Sequence, residues 1–164
     1  MQFTRTVLSR LFAAVLGIMA LGLATSPARG ATATTTVAVT AAVQATCSVT
    51  ATAMTFGTYV PTGASANTST ISVSCTNGTP ATFLLNAGSG TGATVTNRLM
   101  QNGTTMLPYG LFSNSTHTTN FGLTPTTVNG TGSAVVTTVY GQIPAAQFVA
   151  PGSYTDTITA TVSY

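Results

Sequence analysis

The chain has 164 residues, 44% of them hydrophobic and 3% charged, with two cysteines and no tryptophan. That length suits one domain, and high hydrophobicity with so little charge excludes disorder, which goes with the opposite balance. Three of the four basic residues (Arg5, Arg10, Arg29) lie within the first 30 positions, so residues 31–164 keep only Arg98, Asp156 and His117; no basic patch is left for a nucleic acid or an anionic membrane.

Residues 1–30 read as a secretory signal peptide. Arg5 and Arg10 form a basic start, an apolar run follows over 11–24, and Ala28-Arg29-Gly30 places small residues for cleavage before Ala31. The run is short of the roughly 18–20 apolar residues that a membrane anchor needs, so no membrane span is expected after cleavage.

From 31 to 53 the odd positions read Ala31, Ala33, Thr35, Val37, Val39, Ala41, Val43, Ala45, Cys47, Val49, Ala51 and Ala53, while the even ones are mostly Thr, Ser and Gln. A period of two is the signature of a half-buried strand. Strands usually run about 3–10 residues, and at roughly 3.3 Å per residue this stretch would reach about 75 Å, far beyond a domain whose radius of gyration is near 14 Å. Two strands end to end are therefore expected: 43–53 inside the domain, and 31–42 available to something else. The alternative is that 31–42 pairs within its own subunit as an extra edge strand.

Phe56 and Tyr59 are expected as core or edge aromatics, ahead of a turn-rich run over 60–67. A second strand over 69–75 sets Ile71, Val73 and Cys75 against Thr70, Ser72 and Ser74, and stops at Asn77-Gly78, a dipeptide that favours type I′ hairpins. Cys47 and Cys75 both fall on the apolar phase of their strands, so both point to one interior. In an exported protein a disulfide fits, worth about 3–4 kcal/mol in the chain-entropy model; two free buried thiols are the alternative. A third strand covers 81–87, with Phe83, Leu85 and Ala87 on one face. The Gly-rich run over 88–94 lacks the G-x-G-x-x-G spacing, a following helix and a P-loop Lys, and reads as a loop rather than a phosphate cradle.

Further strands are expected over 107–112 (Leu107, Tyr109, Leu111 in phase), over 134–143, where valines on both faces leave the register open, and over 154–164. In the last, Tyr154, Asp156, Ile158, Ala160, Val162 and Tyr164 alternate with Thr and Ser. Six strands with no helix, spaced by turns, indicate an all-β, immunoglobulin-like sandwich. Such a fold needs about seven, so this one is incomplete, one strand short at the C-terminal end and carrying a spare at the N-terminal end.

These residues resemble the spore coat U domain family, the major pilins of archaic chaperone–usher pili. The resemblance rests on Val37-x-Val39-x-Ala41-x-Val43, Cys47-x-Val49, Phe56-Gly57-x-Tyr59, Ile71-Ser72-Val73-x-Cys75, Arg98-x-Met100, Tyr109-Gly110-Leu111-Phe112 and Gly141-x-Ile143-Pro144. The ending Gly152-x-Tyr154-x-Asp156-x-Ile158-x-Ala160-x-Val162-x-Tyr164 is its most specific part. It implies a signal peptide over 1–30, a donor-strand segment over 31–42 and a spore coat U/pilin domain over 43–164. Val37, Val39, Ala41 and Val43 would be the donor residues. Tyr154, Ile158, Ala160, Val162 and Tyr164 would form the acceptor strand that a chaperone or donor faces. The implied partners are other copies of the chain, a periplasmic chaperone and an outer-membrane usher. The implied place is the cell surface after passage through the periplasm, and the implied role is adhesion and biofilm formation. A self-complemented secreted or spore-coat-type structural protein is the alternative; a tip adhesin would carry a further receptor-binding domain.

Enzymatic chemistry is not expected. General acid–base catalysis needs a positioned pair of titrating groups, a Ser or Thr nucleophile an adjacent base, and a zinc site three or four ligands, so neither catalytic nor metal residues nor a cofactor is assigned. His117, in a polar loop, is expected to be exposed. Asp156 falls on an inward phase, with Arg98 its only possible ionic partner in the mature chain; pairing is the less favoured outcome.

Overall fold

The structure, a computed structural model, describes residues 29–164. Residues 1–28 of the expected signal peptide lie outside the described residues. The chain divides into two units, one ending at Thr40 and the other spanning Ala41–Tyr164. In the first, residues 29–40 carry no regular secondary structure and are exposed. The extra edge strand weighed for 31–42 is not formed: among the described residues no strand precedes Cys47.

The second unit is all-β. Its strands are β1 (Cys47–Ala51), β2 (Ser65–Cys75), β3 (Pro80–Leu85), β4 (Arg98–Asn102), β5 (Thr105–Phe112), β6 (Thr126–Asn129), β7 (Ala134–Ile143) and β8 (Ala160–Ser163). Two sheets form, in the orders β1-β2-β7-β5-β4 and β6-β3-β8, and every ladder is antiparallel. Period-two patterning sets the core: Ile71, Val73 and Cys75 from β2, Ala81, Phe83 and Leu85 from β3, Leu107, Tyr109 and Leu111 from β5, and Val139 and Ile143 from β7 are all buried. The ladder with β2 resolves the register of β7, turning Val139 inward and leaving Val136 exposed.

The structure differs from the expected six strands in several places. β4 and β6 are additional. β4 begins with the buried Arg98, and β6 offers one inward apolar residue, Val128, so neither shows an alternating apolar run. Asn77-Gly78 does not close a hairpin, because β2 and β3 belong to different sheets. Gly78 takes φ 79° while Asn77 keeps an ordinary backbone, whereas a type I′ turn needs both residues left-handed. Asn102-Gly103 does lead into a tight hairpin: Asn102 pairs Thr105 across two residues, with Gly103 at φ 59° in the first. Pro108 sits just outside the β5–β7 ladder, which begins at Gly110, where its missing N–H costs no ladder bond.

His117 is half-buried rather than exposed. Its ring stands edge-on to Phe112 at 5.3 Å and to Tyr140 at 6.5 Å, because its positive φ of 54° folds the loop back over β5 and β7.

Candidate functional site

β1 and β8 are the edge strands of their respective sheets, and their ladders show which backbone groups they leave free. Thr52 N–H donates to the Thr70 carbonyl and Thr76 N–H to the Thr46 carbonyl, both at 2.9 Å. Antiparallel pairs alternate between bonded and non-bonded, so Cys47, Val49 and Ala51 turn their N–H and C=O groups to the open edge of β1. Asn86 N–H donates to the Thr159 carbonyl at 3.1 Å, and by the same alternation Ala160 and Val162 turn theirs to the open edge of β8.

A groove of about 1150 Å³ opens between the sheets. Residues 51–59 form one wall and 149–158 the other, over a floor that includes Ile71, Leu85, Met100, Leu107, Leu111, Val139 and Ile143. Along the second wall and its continuation into β8, Tyr154, Ile158, Ala160 and Val162 are half-buried and the Thr residues between them exposed, although Val162 lies beyond the groove lining. This is the expected alternation without full burial: the side chains face inward, and nothing in the domain covers them. Tyr164, grouped with them by sequence, is 61% exposed. The expected strand over 154–164 is laddered only at β8; upstream, Thr155 bridges Gln101 of β4 instead. On the first wall, Phe56 packs edge-on to Tyr109 at 6.1 Å. Gly141 lets that wall reach β7, since a Cβ there would collide with Met54 and lie 2.8 Å from Phe56 Cζ. Tyr59 ties the far end: its hydroxyl donates to the Pro144 carbonyl at 2.7 Å and accepts from Gln147 N–H at 3.1 Å.

Cys47 and Cys75 are joined, facing each other across the β1–β2 ladder with Cα atoms 4.1 Å apart. They occupy a non-hydrogen-bonded pair, where antiparallel strands come closest. The other sequence-selected residues are not gathered there: Val37, Val39 and Val43 are 82%, 89% and 84% exposed, and Ala41 is exposed as well.

Asp156 and Arg98 do not pair. Asp156 Oδ1 accepts from Ser89 N–H (2.7 Å), Ser89 Oγ–H (2.8 Å) and Thr157 N–H (2.7 Å), and Oδ2 from the Tyr109 hydroxyl (2.7 Å). Burial alone would raise its pKa, but the hydrogen bonds from Tyr109, Ser89 and Thr157 together hold it below the ordinary value. Burial first, and then the bond to Asp156, push the Tyr109 hydroxyl far upward. Arg98, fully buried, instead donates to three carbonyls: Nε to Asn86 (3.1 Å), Nη1 to Val95 (2.7 Å) and Nη2 to Phe121 (2.8 Å). Burial lowers its pKa.

Sequence reasoning did not foresee Ser89 and Tyr109 as partners of Asp156. The available signal was an inward acid with no cation at hand, which must find neutral donors. Part of the Gly-rich loop thus receives an anion, but an internal one: Gly88, at φ 93°, has no Cβ to collide with the Asp156 carboxylate. With both oxygens engaged, Asp156 anchors the wall. What remains available is an apolar groove that meets the two edge strands at Ala51 and Ala160, whose backbone groups face away from their ladders, the chemistry of adding a strand.

The family model described as "Spore Coat Protein U domain" matches residues 33–161. Among curated proteins, "Protein U" of Myxococcus xanthus is 36% identical over 159 residues, covering 85% of this chain and 89% of that protein. Among solved structures, a chain of the CsuC-CsuE chaperone–tip adhesion subunit pre-assembly complex, from the archaic chaperone–usher Csu pili of Acinetobacter baumannii, aligns with TM-score 0.57 and 24% identity over 74% of this chain. The present chain spans 40% of that one, and the likeness is one of fold.

Proposed function

The chain belongs to the Spore Coat Protein U domain family, and from that membership and the open groove we propose that it is a structural pilin, polymerising when residues 31–42 of one copy enter the groove of another. The observation that carries this reading is a groove with two unpaired edges in a chain that also holds an exposed segment of strand periodicity. Val37, Val39, Ala41 and Val43 are the donor side chains. They repeat every second residue, as do the half-buried side chains of the wall they would cover, among them Tyr154, Ile158 and Ala160.

Each Val moved from water to the groove floor contributes roughly 1.5–3 kcal/mol. Each new ladder bond contributes about 0.5–1.5 kcal/mol net, against an ordering cost of about 1–2 kcal/mol per residue. Until a donor arrives the two free edges are an aggregation hazard, which a periplasmic chaperone covers before an outer-membrane usher exchanges it for the next copy. The solved pre-assembly complex of a chaperone with a pilus subunit, one chain of which shares this fold, supports the chaperone step. The assembled polymer stands at the cell surface and serves adhesion and biofilm formation.

The test is to delete 31–42 and examine unheated SDS gels. The full chain is expected to give an SDS-resistant ladder that collapses on boiling, and the deletion only a chaperone-bound monomer. Normal polymer from the deletion, or a lone monomer from the full chain, would favour the self-complemented coat or secreted protein instead.

A further inference from the structure

The second groove wall changes sheets along its length. Thr155 exchanges two backbone bonds with Gln101 of β4, at 2.8 and 3.0 Å, and from Ala160 onward the same segment pairs β3. β4 belongs to the larger sheet and β3 to the smaller, so the crossing lies between Thr155 and Ala160. Asp156 stands at its start. Ser89, whose N–H and Oγ–H bond Asp156 Oδ1, lies on the loop that follows β3. Tyr109, whose hydroxyl bonds Oδ2, lies on β5 of the larger sheet. One carboxylate is thereby tied to the exit of one sheet and to a strand of the other, at the place where the chain passes between them.

Tyr109 also reaches the first wall. Its buried ring meets Phe56 edge-on at 6.1 Å, and Phe56 is fixed in turn, its carbonyl accepting from Ser65 Oγ–H at 3.2 Å. A single side chain thus braces both walls, one through its ring and the other through its hydroxyl. Little else fixes the second wall. Among the described residues, the bridge at Thr155 is its only backbone tie to a strand between Val149 and Ile158. Tyr109 and Asp156 both line the groove, a polar pair against a largely apolar floor. A hydroxyl and a carboxylate are costlier to cover than an apolar pair, so packing alone does not account for them.

We propose that Tyr109 is the positioning residue for donor entry: by holding Asp156 it keeps the walls at the spacing that an incoming strand needs before that strand arrives. The proposal rests on the donor reading above and deepens it, placing the readiness of the groove in one hydroxyl of the acceptor. A site whose competent form is only fractionally populated binds with an affinity reduced by that fraction. With the hydroxyl gone, the second wall leaves its place for part of the time and the groove fills more slowly. Once a donor is seated, its own ladder bonds to the edge strands hold the walls, and its escape no longer depends on the brace. The hydroxyl therefore governs how fast the groove is filled and not how long it stays filled.

The experiment uses the full chain bound to its chaperone, carrying Tyr109→Phe, with an excess of a synthetic peptide of residues 31–43 as donor. This substitution keeps the ring against Phe56 and leaves Asp156 Oδ1 its three donors. Filling is followed as SDS-resistant, peptide-bound subunit on unheated gels, and escape as exchange of seated peptide for labelled peptide. Filling is expected to be about tenfold slower than in the unsubstituted chain, with escape changed by less than about twofold. Ser89→Ala, which removes one hydroxyl from the same carboxylate but leaves the brace, should fill at the unsubstituted rate. Phe56→Leu removes the opposite support and carries the same readout if Tyr109→Phe gives no complex. Unchanged filling overturns the proposal, as does escape accelerated in step with slowed filling, an equal slowing by Ser89→Ala, or an equal slowing of labelled-chaperone exchange. Loss of the chaperone complex in both the Tyr109 and Phe56 variants overturns it too, because the brace then serves folding. No filling of the unsubstituted chain overturns donor exchange and the proposal with it.

Discussion

Asp156 and Arg98 carry the only formal side-chain charges of residues 31–164, and each is satisfied by neutral groups. Sequence shows Asp156 on an inward phase; it does not show that the donors come from a loop 67 positions away and from β5, because loop closure leaves no periodic trace. Since the folded-state pKa of Asp156 is lowered, the stability it contributes is fully present above the unfolded value, about 3.9. That contribution is lost as pH falls through the folded one. The urea midpoint of the chaperone-free, donor-peptide-filled domain should thus be flat near neutrality and decline below about pH 4. Asp156→Asn places an amide among donors and should lower stability by about 1–3 kcal/mol at pH 7, with a shallower acid decline.

Among the elements, those with long alternation were legible in the sequence: β3, β5 and the inward phase of the last strand stand where the pattern puts them, as does β7 in place though not in register, while β2 begins at Ser65, inside the run expected as a turn. β4 was hidden because Arg98 occupies an inward position, and β6 because four residues with one buried Val128 carry no period. The sheet assignment was equally hidden, since alternation tells which side chains face the core but not which strand lies alongside. The edge geometry of β8 gives a sharp test. Ala160 directs its N–H away from β3, so Ala160→Pro removes a donor that no ladder within the domain uses, a position where proline is tolerated. The variant should be recovered with its chaperone at yields near those of the unsubstituted chain, yet the SDS-resistant ladder on unheated gels should be lost. Thr161→Pro, which breaks a bond to β3, should abolish the folded complex itself.

For the molecule as a whole, the placement of those two charges leaves an outer surface of Thr, Ser, Asn and small apolar residues. Free soluble proteins generally rely on a quarter to a third charged surface residues to stay dispersed, so burial in a fibre suits this composition. Attraction between copies has no charge to be screened. Polymerisation rates measured by light scattering should therefore change by less than about twofold between 0.05 M and 0.5 M salt, whereas charge-steered association falls steeply with ionic strength.

In the fibre proposed above, the covalent link between Cys47 and Cys75 would also decide how load is carried. Tension reaching a subunit through its leader arrives at the first residue of β1, where the sulfur bridge passes it directly to β2, a central member of the larger sheet. Peeling β1 away bond by bond is thereby prevented, and the pull must be borne in shear by the non-covalent joint between neighbours. Mechanical failure would then fall on the seam between copies, and each detached subunit would keep its own body intact.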